Sequence, residues 1–77
     1  MRVSSVTSLD TIYSIRVDDF STTVTYVGEA PLSSAEEAPV WRIKKIESLG
    51  SQLNIKWADG NQFFDNIWTN HTSLTYS

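Results

Sequence analysis

The chain has 77 residues, a formal net charge of −3, nine aromatic residues (three each of Trp, Tyr and Phe) and no cysteine. Its length predicts a single β domain over residues 1–77, and the lack of cysteine excludes disulfides and thiolate metal ligands. Because phosphate contacts dominate nucleic-acid binding, an acidic chain with six Lys and Arg is expected to bind no nucleic acid. No apolar run approaches the roughly 20 residues of a membrane-spanning helix, so no membrane partner is expected.

The N-terminal third combines a polar stretch with two strand patterns. Residues 1–10 are polar and irregular, which predicts an N-terminal arm outside the sheet. Residues 11–17 and 22–28 are rich in Val, Ile, Thr and Tyr that alternate between two faces, so both predict strands. Tyr26, on the second of these strands, is a predicted core residue.

The stretch from 28 to 39 contains both prolines and no aromatic residue, and it predicts a long loop. Two interpretations are open. The segment is either a solvated loop, as its composition suggests, or an extended arm that reaches a neighbouring subunit. In the second case Pro31 and Leu32 are candidate interface residues.

The C-terminal half predicts a three-stranded antiparallel meander with two tight turns. Gly50-Ser51 is typical of a type II′ turn and Asp59-Gly60 of a type I′ turn. Because two-residue loops fix the register, Ile46 should lie opposite Ile55, and Ile55 opposite Phe64. This row and its neighbours predict a core, and we expect loss of the Trp57 side chain to unfold the domain. The core residues predicted in this half are Ile46, Leu53, Ile55, Trp57, Phe64 and Trp68.

Trp41 and Ile43 do not fit this row, since a regular strand over 40–48 places them on the face opposite Ile46. Either a bulge near Lys44-Lys45 brings them round, or both faces of the sheet are covered. The second option makes Trp41 and Ile43 candidate interface residues. With a last strand over 72–76, the predicted fold class is all-β, a small antiparallel sandwich or barrel-like domain.

The sequence contains no convincing reactive centre, and we expect no enzyme, no catalytic residue, no cofactor and no metal. His71 is the single histidine and has no cysteine to share a metal with. The adjacent carboxylates Asp18-Asp19 and Glu36-Glu37 would point to opposite faces of a strand, which disfavours a shared acid–base site. Basic residues between the aromatic residues of the meander are also found in single-strand binders, but the acidity of the chain favours ordinary solvent-facing charge.

Three segments together resemble short proteins encoded by tailed bacteriophages: YVGEA at 26–30, VWRIKKI at 40–46 and WADGNQFFDNIWTNHTSLTY at 57–76. The family pattern joins Tyr-Val-Gly-x-Ala to Trp-x-Ile-x-x-Ile, then Ala-Asp-Gly, a Phe, Asn-x-Trp and Ser-Leu-x-Tyr. The combination is specific, whereas each motif alone is weak. This chain has His71 where the pattern has Arg, so no contact of that Arg is expected here.

The resemblance implies a virion structural protein that is made in the host cytoplasm and assembles with other virion proteins. A small tail- or fibre-associated component, or one that decorates the head, is expected, and it should form a homo-oligomer whose copies stabilise each other by burial. Two alternatives are open: a small monomeric module whose exposed Trp residues bind a ligand, and a small regulator that binds a host protein.

Overall fold

The computed structural model describes residues 13–77, and the predicted arm over 1–10 lies outside them. The described chain forms four antiparallel strands in one sheet, in the order β1-β2-β3-β4, so the all-β class is confirmed. A short 3₁₀ helix, Trp68–Asn70, lies in the C-terminal segment. The strands are β1 (Tyr13–Asp18), β2 (Val24–Pro31), β3 (Arg42–Leu49) and β4 (Gln52–Trp57).

The sheet has two faces that differ in what packs against them. Side chains alternate along each strand, and the register then fixes which residues share a face. The covered face, against which the C-terminal segment folds, includes Arg16, Tyr26, Gly28, Ala30, Ile43 and Lys45. The open face carries Ile15, Val17, Val27, Ile46, Leu53, Ile55 and Trp57.

The core lies between the covered face and residues 58–77. Trp41 is 0% and Ile43 1% exposed, and the Trp41 ring lies 6.0 Å from the ring of Trp68. Tyr26 packs 5.6 Å from Tyr76, again measured between ring centroids. Buried aromatic rings remove much apolar area from water, so these pairs give a short chain most of its core.

The predicted loop over 28–39 begins too early, because β2 continues to Pro31. Gly28 and Ala30 are buried within the strand and face the core. A Cβ on Gly28 would lie 2.6 and 2.8 Å from two atoms of the Trp68 ring. Glycine is therefore needed here for the close approach of an indole, and its presence does not mark a turn.

Both predicted turns are present. Leu49 pairs with Gln52 across Gly50-Ser51, where only the glycine has a positive φ (64°), as a type II′ turn requires. At Asp59-Gly60 both residues have positive φ, 60° and 71°, which is the type I′ conformation. The first turn places Ile46 opposite Ile55 as predicted.

The predicted third strand of the meander is wrong. After Asp59-Gly60 the chain does not run back along β4, and Tyr76 pairs with Ala58 instead. The side chain of Asn61 accepts a hydrogen bond from the N–H of Phe63 at 2.9 Å, a local turn that competes with extension. Phe64 is therefore not opposite Ile55. The predicted last strand over 72–76 is reduced to the bridge at Tyr76.

Trp41 and Ile43 face the core of their own chain, so their assignment as interface residues is wrong. The register of β3 is continuous through Lys44-Lys45, and no bulge turns them toward Ile46. The layer that covers them is the irregular C-terminal segment and not a second sheet. Among residues 13–77 neither a sandwich nor a closed barrel is observed.

Candidate interaction surface

The open face is a partly apolar sheet surface that the C-terminal segment leaves uncovered, except at one end where Phe64 contacts Tyr13 and Arg42. Val17 on β1 is 64% exposed, and Leu53 and Ile55 on β4 are 67% and 54% exposed; all three point to this face. Ile46 lies between them on β3 and is half-buried. Contiguous apolar patches on a folded surface commonly mark sites of association.

This arrangement corrects the predicted core. Tyr26 and Trp68 are buried as predicted, whereas Leu53, Ile55 and Phe64 are exposed. Ile46 and Trp57 are half-buried. The predicted row of apolar residues exists as far as the Ile46–Ile55 pair, but it lies on the open face, because the indole rings of Trp41 and Trp68 pack on the other side of the sheet.

One end of the open face is bounded by an arginine among aromatic rings. The guanidinium of Arg42 lies 4.6 Å from the ring centroid of Phe64 and 5.7 Å from that of Trp57. Tyr13 stacks on Phe64 with centroids 5.8 Å apart. Arg42 also pairs with Glu29, with 2.5 Å between Nη2 and Oε1. Cation–π contacts and the ion pair hold this end in place, which explains why Phe64 is outside the core.

A lysine also lies among the apolar residues of the open face. Lys44 is on the open face between Val27 and Trp57, which are its register partners. Its Nζ lies 5.6 Å from the Trp57 ring centroid. The aliphatic part of a lysine covers apolar surface while its ammonium reaches water. Lys44 therefore adds a charge to the open face but still contributes apolar surface to it.

The outer edge of β4 has backbone groups without a described partner. Trp57 and Ser77 exchange two N–H···O bonds of 3.1 Å, so the backbone groups of Trp57 point away from β3. Because this direction alternates along an antiparallel strand, those of Leu53 and Ile55 also point outward. None of residues 13–77 pairs with them. Such an edge readily accepts another strand.

On the covered face Glu47 is paired with two lysines. Its carboxylate oxygens lie 3.2 Å from Nζ of Lys56 and 3.4 Å from Nζ of Lys45. The hydrogen bond from Lys56 is the main cause that lowers the pKa of Glu47 below its ordinary value of 4.5, and Lys45 adds to it while desolvation opposes it. The carboxylate form is thus favoured by folding.

The lowered pKa of Glu47 predicts a specific titration. Its stabilising contribution is complete above pH 4.5 and is lost as the pH falls through the lowered value, because only the folded state favours the ionised form. In an NMR titration of the side-chain carboxyl carbon, we expect a midpoint below 4.5 that moves upward in the Lys56→Met variant. A midpoint that Lys56→Met leaves unchanged would contradict this pairing.

His71 has a structural role that the sequence did not reveal. Its Nε2 lies 2.6 Å from the carboxylate of Asp18, and its Nδ1 lies 2.7 Å from the carbonyl oxygen of Trp68. The imidazole stacks on the Trp68 indole at 4.0 Å. Asp18 and His71 are far apart in sequence, so no local pattern indicates their contact. The pair ties the C-terminal segment to β1.

No reactive constellation is found among residues 13–77. They include no group of three or more His, Asp or Glu side chains that could hold a metal ion, and they enclose no pocket. Pro31 and Leu32 are exposed, and their role at an interface stays a prediction. In the part of the chain that the structure describes, no helix has the length and apolar character to cross a membrane.

Comparison with known proteins adds no relative. Neither the family models, nor the curated proteins, nor the solved structures contain a match to this chain. The open face and the outer edge of β4 are therefore the features from which a function can be proposed.

Proposed function

We propose that this chain is a bacteriophage virion structural protein, a small tail- or fibre-associated or head-decorating component that acts by protein–protein assembly. The open face is the observation that carries the proposal. It exposes Val17, Leu53 and Ile55 on a rigid sheet whose other face is already packed. Apolar surface on a regular scaffold contributes free energy when another protein covers it.

The size of the open face suits association. Four strands about 4.8 Å apart, each with six to eight residues at about 3.3 Å, give a projected area of roughly 400–500 Å². The largest patch on a typical monomer is about 300–600 Å² and is often functional. The whole face, with its polar residues included, is therefore large enough to hold an apolar patch of this size.

Association with neighbouring copies would also raise the free energy of unfolding of so short a chain. A 77-residue domain buries a smaller fraction of its surface than a large one. A partner that binds only the folded state stabilises it by mass action. In a virion, copies of one small domain meet each other and their neighbours at high local concentration. The sequence resemblance to tailed-phage proteins supports this location.

The proposal is tested on purified particles. Particles are prepared from a host that carries the genome encoding this chain, and their proteins are identified by mass spectrometry. We expect the chain in stoichiometric amount in the wild type and at least tenfold less of the variant with Val17, Leu53 and Ile55 all replaced by Thr. Threonine keeps a high strand propensity, so the variant sheet should fold.

A matched control places the same number of threonines outside the patch. Thr replaces the exposed Glu37, Gln62 and Asp65, and this variant should enter particles as the wild type does. The chain's absence from wild-type particles, with soluble monomer in the lysate, would contradict the proposal. It would favour the small monomeric binding module.

A further inference from the structure

We infer that the outer edge of β4 pairs antiparallel with β4 of a second copy, across a twofold axis at Asn54. The inference deepens the proposed function, on whose assembly it rests, by naming the first partner and the register. The two four-stranded sheets would join into one continuous sheet of eight strands.

Only one register of the two β4 edges uses all the outward backbone groups of both copies. Leu53 and Ile55 carry the outward N–H and C=O groups, so each must face an outward residue of the second copy. With Leu53 opposite Ile55 of the second copy, both residues of both copies are used, and about four backbone hydrogen bonds form. A shift in one direction places Leu53 opposite Trp57, whose groups are bonded to Ser77. A shift in the other pairs Ile55 with Ser51 in the turn.

The length of the free edge agrees with this register. It extends over 52–56, between the Gly50-Ser51 turn and the residues paired with the C-terminus. The twofold axis at Asn54 is its centre, so the edge of one copy is as long as the edge that it must meet. The turn of each copy then ends the ladder next to the partner's C-terminal segment.

The side chains are self-complementary in the same register. Leu53 lies beside Ile55 of the second copy on the open face, an apolar cross-strand pair. On the covered face Lys56 lies beside Gln52 of the second copy, so no two like charges are opposed. Asn54 lies opposite Asn54 of the second copy, and the side-chain amides of these two residues can hydrogen-bond to each other. Pairing also shields a strand edge that would otherwise accept other chains.

The dimer would extend the open face across the axis. Leu53 and Ile55, the most exposed apolar residues of β4, would then lie in the middle of an apolar surface twice as wide. The five-residue ladder alone is smaller than a standard interface. We therefore expect the isolated dimer to dissociate on dilution and to be held in place when a neighbour covers the joined faces.

The test uses single cysteines, which are specific because the chain has none. Asn54 and its copy form a non-hydrogen-bonded pair, with Cα atoms about 4.5 Å apart, which is within the disulfide range of about 4.4–6.8 Å. Under mild oxidation, Asn54→Cys should give a disulfide dimer on non-reducing electrophoresis. Gln62→Cys, on an exposed loop, controls for random collision and should give at least tenfold less dimer.

Two further variants test the register. Gln52→Cys and Lys56→Cys should each cross-link poorly alone, and their mixture should give the heterodimer because these positions oppose each other. Circular dichroism checks that every variant is folded. Cross-linking of Gln52→Cys with itself as fast as Asn54→Cys would overturn the register.

The mass of the wild-type protein in solution separates this inference from the proposed function. If the wild type associates but Asn54→Cys forms no more dimer than Gln62→Cys, the edge pairing is overturned and assembly through another surface stands. If the wild type is monomeric at every concentration and no variant cross-links, self-association is overturned. If the chain were still found in particles, it would bind other virion proteins there and not a second copy of itself.

Discussion

Replacing Trp41 by alanine should remove a large part of the free energy of unfolding. The indole is 0% exposed, packs on Trp68, and donates a hydrogen bond from Nε1 to the carbonyl oxygen of Ala35 at 2.9 Å. Truncation of a buried Trp costs about 3–5 kcal/mol. At about 0.05–0.15 kcal/mol per residue, the whole domain has about 4–12 kcal/mol of stability. The loss is thus a large part of the total.

Trp57→Ala is the matched control. Trp57 is half-buried on the open face and contacts Arg42 and Lys44, so its loss should cost about 1 kcal/mol and leave cooperative unfolding intact. Urea titration followed by far-UV circular dichroism measures both. Equal losses for the two variants, or a larger loss for Trp57→Ala, would contradict the position of the core and restore the expectation from sequence.

Gly28→Val should destabilise the domain almost as strongly. The added Cβ alone would lie 2.6 Å from one carbon of the Trp68 ring and 3.2 Å from one carbon of the Trp41 ring. Neither indole can move freely, because both lie in the same packed layer. Overpacking of a close-packed core typically costs about 1–3 kcal/mol, and valine adds two further methyl groups. We expect a loss of about 3 kcal/mol in thermal or urea unfolding.

The control for Gly28→Val is Val27→Ala, the next residue on the same strand. Val27 points to the open face, so its truncation should cost about 1 kcal/mol or less. A Gly28→Val variant as stable as the wild type would show that the indole of Trp68 does not lie against β2. That result would remove the main contact between the C-terminal segment and the sheet.

The all-β class, the positions of both turns and the register across the first turn could be predicted from the sequence, because they depend on neighbouring residues. Gly50-Ser51 and Asp59-Gly60 have the residue types that their φ angles require, and the first turn sets Ile46 opposite Ile55. Alternation along β1 and β2 is likewise a local property. These features are the ones that the structure confirms.

The choice of the core face could not be predicted in this way. Both faces carry apolar residues, and the face that becomes the core is decided by where Trp68 packs, some ten residues beyond the last strand. The contact of Trp68 with Gly28 and the bond between His71 and Asp18 join distant parts of the chain. A glycine that fits an indole looks the same in sequence as a glycine in a turn, so the sequence predicts a loop that begins before the end of β2.

Association with other proteins could be expected from the sequence, but the residues of the proposed surface could not. From the sequence we expect a protein that assembles, with Trp41 and Ile43 at the interface and Leu53 and Ile55 in the core. In the structure the first pair is buried and the second pair is exposed. Periodicity indicates which residues share a face, whereas contacts between distant segments decide which face stays exposed.

The molar mass of the wild-type protein in solution, measured by light scattering across a dilution series, tests the central claim most directly. If copies associate through the open face and the β4 edge, the mass should rise with concentration from the monomer value of 8.7 kDa to at least twice that value. The variant with Thr at positions 17, 53 and 55 should stay monomeric. A folded wild type that remains at 8.7 kDa at every concentration would contradict association between copies.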